Sequence, residues 1–216
     1  MFEIDLEWSL ASQYVLRPVG RGSTRDLAIY PAEGARVTRY RPLEQYPALY
    51  AEFAKLDGSK QACLQFAHQC GLLFADLTRP LGLGNDPGAF ETLRTWKGYI
   101  KRVREIIYRC ELSRANPGEA FREFGKQDKQ LFGVELYLSI KGRNSPATLD
   151  VRGTNLFGAM ELQAIASILR GRRSVQCIEC SRPFEIGAGA RRSQSKFCST
   201  RCKDSYHNRL KAEARR

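Results

Sequence analysis

The longest regular pattern of apolar positions lies in the middle of the chain. Phe90, Leu93, Trp96, Ile100, Val103, Ile107 and Cys110 recur at intervals of three and four, which predicts an amphipathic helix from Pro87 to Leu112. Its other face carries Arg94, Lys97, Lys101, Arg102 and Arg104, a charged stripe of the kind that ordinarily faces water. Two shorter helices precede it. Pro47 opens one through Leu56, with Leu49, Phe53 and Leu56 on one face. Ser59 caps the next, which runs to about Leu73 with Cys63, Phe66 and Cys70 inward. A further helix over 155–169 carries Leu156, Met160, Ile165, Ile168 and Leu169, and a short one ends near Phe124.

Alternation with period two marks the strands. It runs through Phe2, Ile4 and Leu6, and most cleanly from Phe132 to Ile140, where Phe132, Val134, Leu136, Leu138 and Ile140 share one face. The turn 141–146 leads to a partner strand around Leu149 and Val151. Shorter runs at 14–16 and 27–30 stop at Arg17-Pro18 and Pro31, with Gly20, Gly22 and Gly34 at the turns. The Gly- and Pro-rich stretch from Thr78 to Gly88 reads as loop. The expected fold is α+β, with a mixed helical and strand domain over 1–173 and a small C-terminal module over 174–216.

Composition adds a charge asymmetry. The chain has 216 residues and a formal net charge of +12. From Arg170 onward there are 13 Lys and Arg against four Asp and Glu, a surplus of nine; the preceding 169 residues have a surplus of only three. A positive segment beside a near-neutral domain points to a polyanionic partner. No apolar run approaches the ~18 residues a membrane span needs, and the acidic, alternating start is unlike a secretory signal. The expectation is a soluble, cytoplasmic protein without a membrane partner.

The chemistry concentrates in the basic segment. Cys177-x-x-Cys180 and Cys198-x-x-x-Cys202 form two close pairs, and four thiolates at such spacing can surround one Zn²⁺. Pro183 to Ile186 can form one strand of a hairpin, with Lys196-Phe197 on its return and Gly187 to Ala190 at the tip. Phe184 and Phe197 can pack over the metal. Ser199 is a natural N-cap for a last helix, which places Cys202 in its first turn. Knuckle, hairpin and ligand-bearing helix describe a treble-clef-like finger. Four protein ligands leave no open position, so a single structural zinc is expected. The thiolates and the ion together contribute −2, leaving the segment about +7. His207, five residues after Cys202, could replace one ligand, but four cysteines already suffice; Cys63, Cys70 and Cys110 fall within apolar helix patterns and read as core thiols.

The candidate nucleic-acid contacts are Arg191, Arg192 and Lys196 on the hairpin, and Arg201, Lys203, Asn208, Arg209 and Lys211 on the last helix. Lys and Arg gain affinity by displacing phosphate counterions. Tyr206 and Leu210 share a helix face expected to pack inward. An enzyme is not indicated. There are two histidines only, there is no His-x-Glu beside a Pro-Cys-x-x-Cys, and no phosphate loop of the Gly-x-x-x-x-Gly-Lys type occurs.

Cys177-Ile178-Glu179-Cys180, Ser181-Arg182-Pro183-Phe184, Arg191-Arg192, Phe197-Cys198-Ser199, Cys202 and Asn208-Arg209 resemble the bacterial CGNR-type zinc finger. In that family an N-terminal domain called ABATE precedes the finger. The resemblance covers about the last 40 residues. It implies a DNA-binding transcriptional regulator, with DNA favoured over RNA, whose larger domain senses a ligand or dimerises. Cys202 is followed here by Lys203-Asp204 and not by Gly-Asn-Arg. The Phe-Cys-Ser-x-x-Cys string is equally similar to the small bacterial zinc protein that inhibits DNA gyrase. That second likeness implies a protein-interaction adaptor.

Overall fold

The computed structural model describes residues 6–19, 26–77, 90–116, 134–139 and 148–214. The expected strand residues Phe2 and Ile4, the loop 78–88, the short helix ending near Phe124 and the turn 141–146 lie outside these, as does Arg215. The architecture is α+β, with small antiparallel sheets beside helices. In chain order the elements are β1 (Trp8–Ala11), β2 (Tyr14–Val19), β3 (Asp26–Pro31), β4 (Val37–Tyr40), α1 (Pro42–Gln45), α2 (Leu49–Ala54), α3 (Lys60–Cys70), β5 (Glu91–Thr92) and α4 (Leu93–Ala115). They continue with β6 (Val134–Ser139), β7 (Thr148–Gly153), α5 (Leu156–Leu169), β8 (Arg173–Gln176), β9 (Pro183–Ile186) and α6 (Thr200–Glu213).

β1 pairs with β4, β3 lies between β2 and β5, β6 pairs with β7, and β8 pairs with β9. One large apolar cluster joins Trp8, Phe53, Phe66, Trp96 and Phe157 with the flanking aliphatic side chains of α2, α3, α4 and α5. Phe53 sits at its centre, fully buried, with ring centroids 5.1 Å from Phe66 and 5.9 Å from Trp96. Cys63 and Cys70 are buried in this cluster, as their helical spacing suggested, whereas Cys110 is only half-buried.

Several boundaries differ from the sequence expectation, each for a tertiary reason. The third helix stops at Cys70 and not near Leu73. Gly71 turns out of it at φ +85°, and a Cβ there would meet the Ser9 carbonyl at 2.6 Å. The long helix starts at Leu93, because Glu91 and Thr92 add to β3 and Thr92 caps the helix through the Thr95 N–H. It continues past Leu112 to Ala115. Glu91 is buried, and its carboxylate accepts the N–H groups of Leu73, Phe74 and Ala75. Burial raises its pKa, against the pull of those donors. The helix expected over 47–56 is shortened to α2, with the extra turn α1 before it, and β1 and β4 had no clear alternation.

The basic stripe of α4 is only partly a solvated face. Arg102 bonds to Glu161 of α5, whose side chain is fully buried. Arg104 donates to the carbonyls of Ala54 and Leu56, at 2.7 and 2.6 Å, closing the C-terminal end of α2. Among the described residues no helix is long and apolar enough to cross a membrane.

Candidate metal centre

Local backbone chemistry builds the site. The Cys-x-x-Cys turn joins β8 to β9. Ser181 takes a left-handed conformation (φ 57°), its N–H donates to the Cys177 carbonyl at 2.8 Å, and the Cys177 N–H donates to the Arg182 carbonyl at 3.0 Å. The segment 187–198 then returns to this knuckle, where the Ile178 N–H donates to the Lys196 carbonyl at 3.1 Å. Ser199 caps α6, its hydroxyl accepting the Cys202 N–H at 3.1 Å. These turns bring Cys177, Cys180, Cys198 and Cys202 together, with all four sulfurs within 4.8 Å of one another. Cys198 lies 3.5 Å from both Cys180 and Cys202.

That spacing suits coordination. Four thiolates placed tetrahedrally at ~2.3 Å from a zinc ion stand ~3.8 Å apart, nearly twice a disulfide bond. The donor set of four soft sulfurs fits a tetrahedral metal such as Zn²⁺. His207 is not in the group; its ring lies against Phe197 and Tyr206, with centroids 6.0 and 5.7 Å away.

The electrostatics favour a cation. Burial disfavours a charged Cys177, but the N–H groups of Cys180, Cys198 and Glu179 turned to its sulfur outweigh this and hold the thiol down at about 6. Burial, reinforced by the three neighbouring sulfurs, pushes Cys198 up to about 12. Burial also raises Cys180. Thiolates packed this closely cannot all ionise until a metal offsets their mutual repulsion.

The module's apolar core is small. Its buried residues are Cys177, Phe184 and Ile186, with Val175, Phe197, Cys198 and Cys202 packed beside them. No residue of α6 is fully buried. Tyr206 leans on Phe197 with ring centroids 5.4 Å apart, as its helix position suggested, but Leu210 is 43% exposed and does not share the packing expected of it. Glu179 ties α6 to the knuckle, accepting from Ser205 Oγ at 2.8 Å and pairing with Arg209 at 3.0 Å. The Arg209 guanidinium also lies 5.6 Å from the Tyr206 ring centre.

The hairpin is correct in one strand and different in the other. β9 forms at Pro183–Ile186, but its partner is β8, upstream of the first cysteine, with Val175 opposite Phe184. Lys196 and Phe197 make no strand; the return pairs with β9 through the bridge between Ile186 and Arg191. Arg172 locks the tip, donating to the carbonyls of Ala188 and Gly189 at 2.9 Å and to Glu185 at 3.0 Å. Gly187, at φ +117°, passes so near Gly171 that a Cβ would meet its carbonyl oxygen at 2.8 Å. β9 also touches α2, and the Arg182 charge acts on Glu52, offsetting part of the rise that burial imposes there. The finger is therefore seated on the larger apolar body.

The predicted contact residues are all exposed: Arg191, Arg192 and Lys196 in the return segment, and Arg201, Lys203, Asn208, Arg209 and Lys211 on α6. Sequence reasoning missed the roles of Arg172 and Glu179, since a single Arg or Glu in a charged segment carries no signal of its partner. No family model, curated protein or solved structure matches the chain.

Proposed function

We propose that this chain is a zinc-finger nucleic-acid-binding protein, a transcriptional regulator of bacterial type whose basic module contacts DNA. The observation that carries this reading is the four-cysteine cluster inside a module of strong positive charge. Zinc would be held by Cys177, Cys180, Cys198 and Cys202 and would supply rigidity, because four protein ligands leave no coordination position for chemistry. The chain's own residues do the binding: exposed Lys and Arg around the cluster displace counterions from phosphates. The body over 1–173 carries the finger and is the region available for dimerisation or for sensing a signal.

The test is binding of the zinc-loaded protein to labelled duplex DNA and single-stranded RNA across a salt series. Tight binding to duplex DNA that weakens steeply with salt and is lost on chelation supports the proposal. No binding to either acid at low salt sinks it.

A second reading is favoured by the finger's exposed apolar side chains. Ile178 in the knuckle and Leu210 on α6 are 48% and 43% exposed, and a protein adaptor would use such positions. A protein partner retained after Lys196 and Lys203 are neutralised would select it.

A further inference from the structure

The positive charge of the finger is not arranged as a uniform coat. Between the return segment and the start of α6 lies a groove of about 330 Å³, lined by Arg191, Lys196 and Lys203 together with Gln194, Ser195 and Thr200. No acidic side chain lines it. Among the described residues none of these three cations has an ion-pair partner. Lys203 and Thr200, three residues apart, share the flank of α6 that faces the groove.

The knuckle-facing flank is different. There Arg209 is bound to Glu179 and laid against Tyr206, so its charge is offset and its side chain is engaged in holding the helix. Arg192, Arg201 and Lys211 are exposed but do not line the groove. The eight candidate contacts thus separate by position into three that converge on one cavity, one that braces the helix, and four that do neither.

We infer that the groove of Arg191, Lys196 and Lys203 is the seat for backbone phosphate of duplex DNA, and that Arg209 is a positioning residue that orients α6 beside it. This rests on the nucleic-acid reading above. Convergent cations from two segments fix a phosphodiester in one place, whereas scattered ones add only to the mean field. The groove would set the register of the finger on the duplex and leave base recognition to neighbouring side chains.

The experiment compares two charge-matched double variants of the full, zinc-loaded chain, K196A/K203A and R201A/K211A, in salt titrations with duplex DNA. Each removes two positive charges from the same module. Each phosphate contact contributes about 0.9 to the slope of log K against log salt, so the groove pair should lose about 1.8. The other pair should lose less than half as much. Equal losses from both pairs, or an unchanged slope in K196A/K203A, would overturn the groove while leaving DNA binding itself intact. A wild-type chain that does not bind duplex DNA at low salt defeats the nucleic-acid reading first, and the groove with it. Zinc content is measured on every variant, and K196Q/K203Q takes the place of K196A/K203A if that pair loses metal.

Discussion

The body and the finger are stabilised by different physics. In the body, Phe53, Trp96, Phe157 and their neighbours remove a continuous apolar surface from water. In the finger the buried set is Cys177, Phe184 and Ile186, and α6 buries nothing fully. A helix of 14 residues without a buried face is marginal on its own. What remains to hold it is the cysteine cluster, the Ser199 cap, the Tyr206–Phe197 contact and the ties from Glu179 to Ser205 and Arg209. The body should therefore respond to lost packing and the finger to lost metal, each largely without the other.

The largest effect expected is from metal removal. Apparent metal-binding free energies in zinc-finger peptides reach about 10–16 kcal/mol, and this is folding energy where no core exists. Chelation should erase the NMR signals of α6 and the return segment while the body's resonances persist. Acid should act in the same direction. The N–H groups turned to its sulfur hold Cys177 below an ordinary thiol, so the stability that its thiolate contributes is complete only above the ordinary thiol value of 9.0 and is lost as pH falls from there through about 6. Loss of body and finger together would show that the two are one cooperative unit.

A body core deletion comes next. Phe53→Ala removes a fully buried ring from the aromatic cluster and should cost about 3–5 kcal/mol in thermal or denaturant unfolding. Zinc stoichiometry should be unchanged. The smallest effect belongs to Arg209→Ala. Its side chain is half exposed, so the ion pair with Glu179 contributes below about 1 kcal/mol. The expected readout is faster amide exchange in the C-terminal half of α6, with zinc retained. Unchanged exchange would remove Arg209 as a brace.

The same contrast explains what could be read from the chain. The four-cysteine cluster was legible because its determinants are local: two cysteine pairs, a Ser199 cap and a tight turn lie within 26 residues, from Cys177 to Cys202. Ser59 marked a helix start for the same reason. The partner of β9 was not legible, since Arg173-Ser174-Val175-Gln176 has no alternation and becomes a strand only by pairing. The start of α4 was missed because Glu91 is used elsewhere, bonding the segment after α3. Arg102 read as a surface charge because its partner, Glu161, is 59 residues away in sequence.

The central claim is that metal on four cysteines, and not an apolar core, holds the finger. It is tested most directly by metal analysis of the full chain beside its Cys202→Ser variant, with the body's thermal transition followed in both. The account predicts one zinc per chain in the wild type. In the variant it predicts loss of that zinc and of the α6 signals, with the body's transition unmoved. Full zinc stoichiometry in Cys202→Ser, or an ordered α6 in a metal-free wild type, would contradict it.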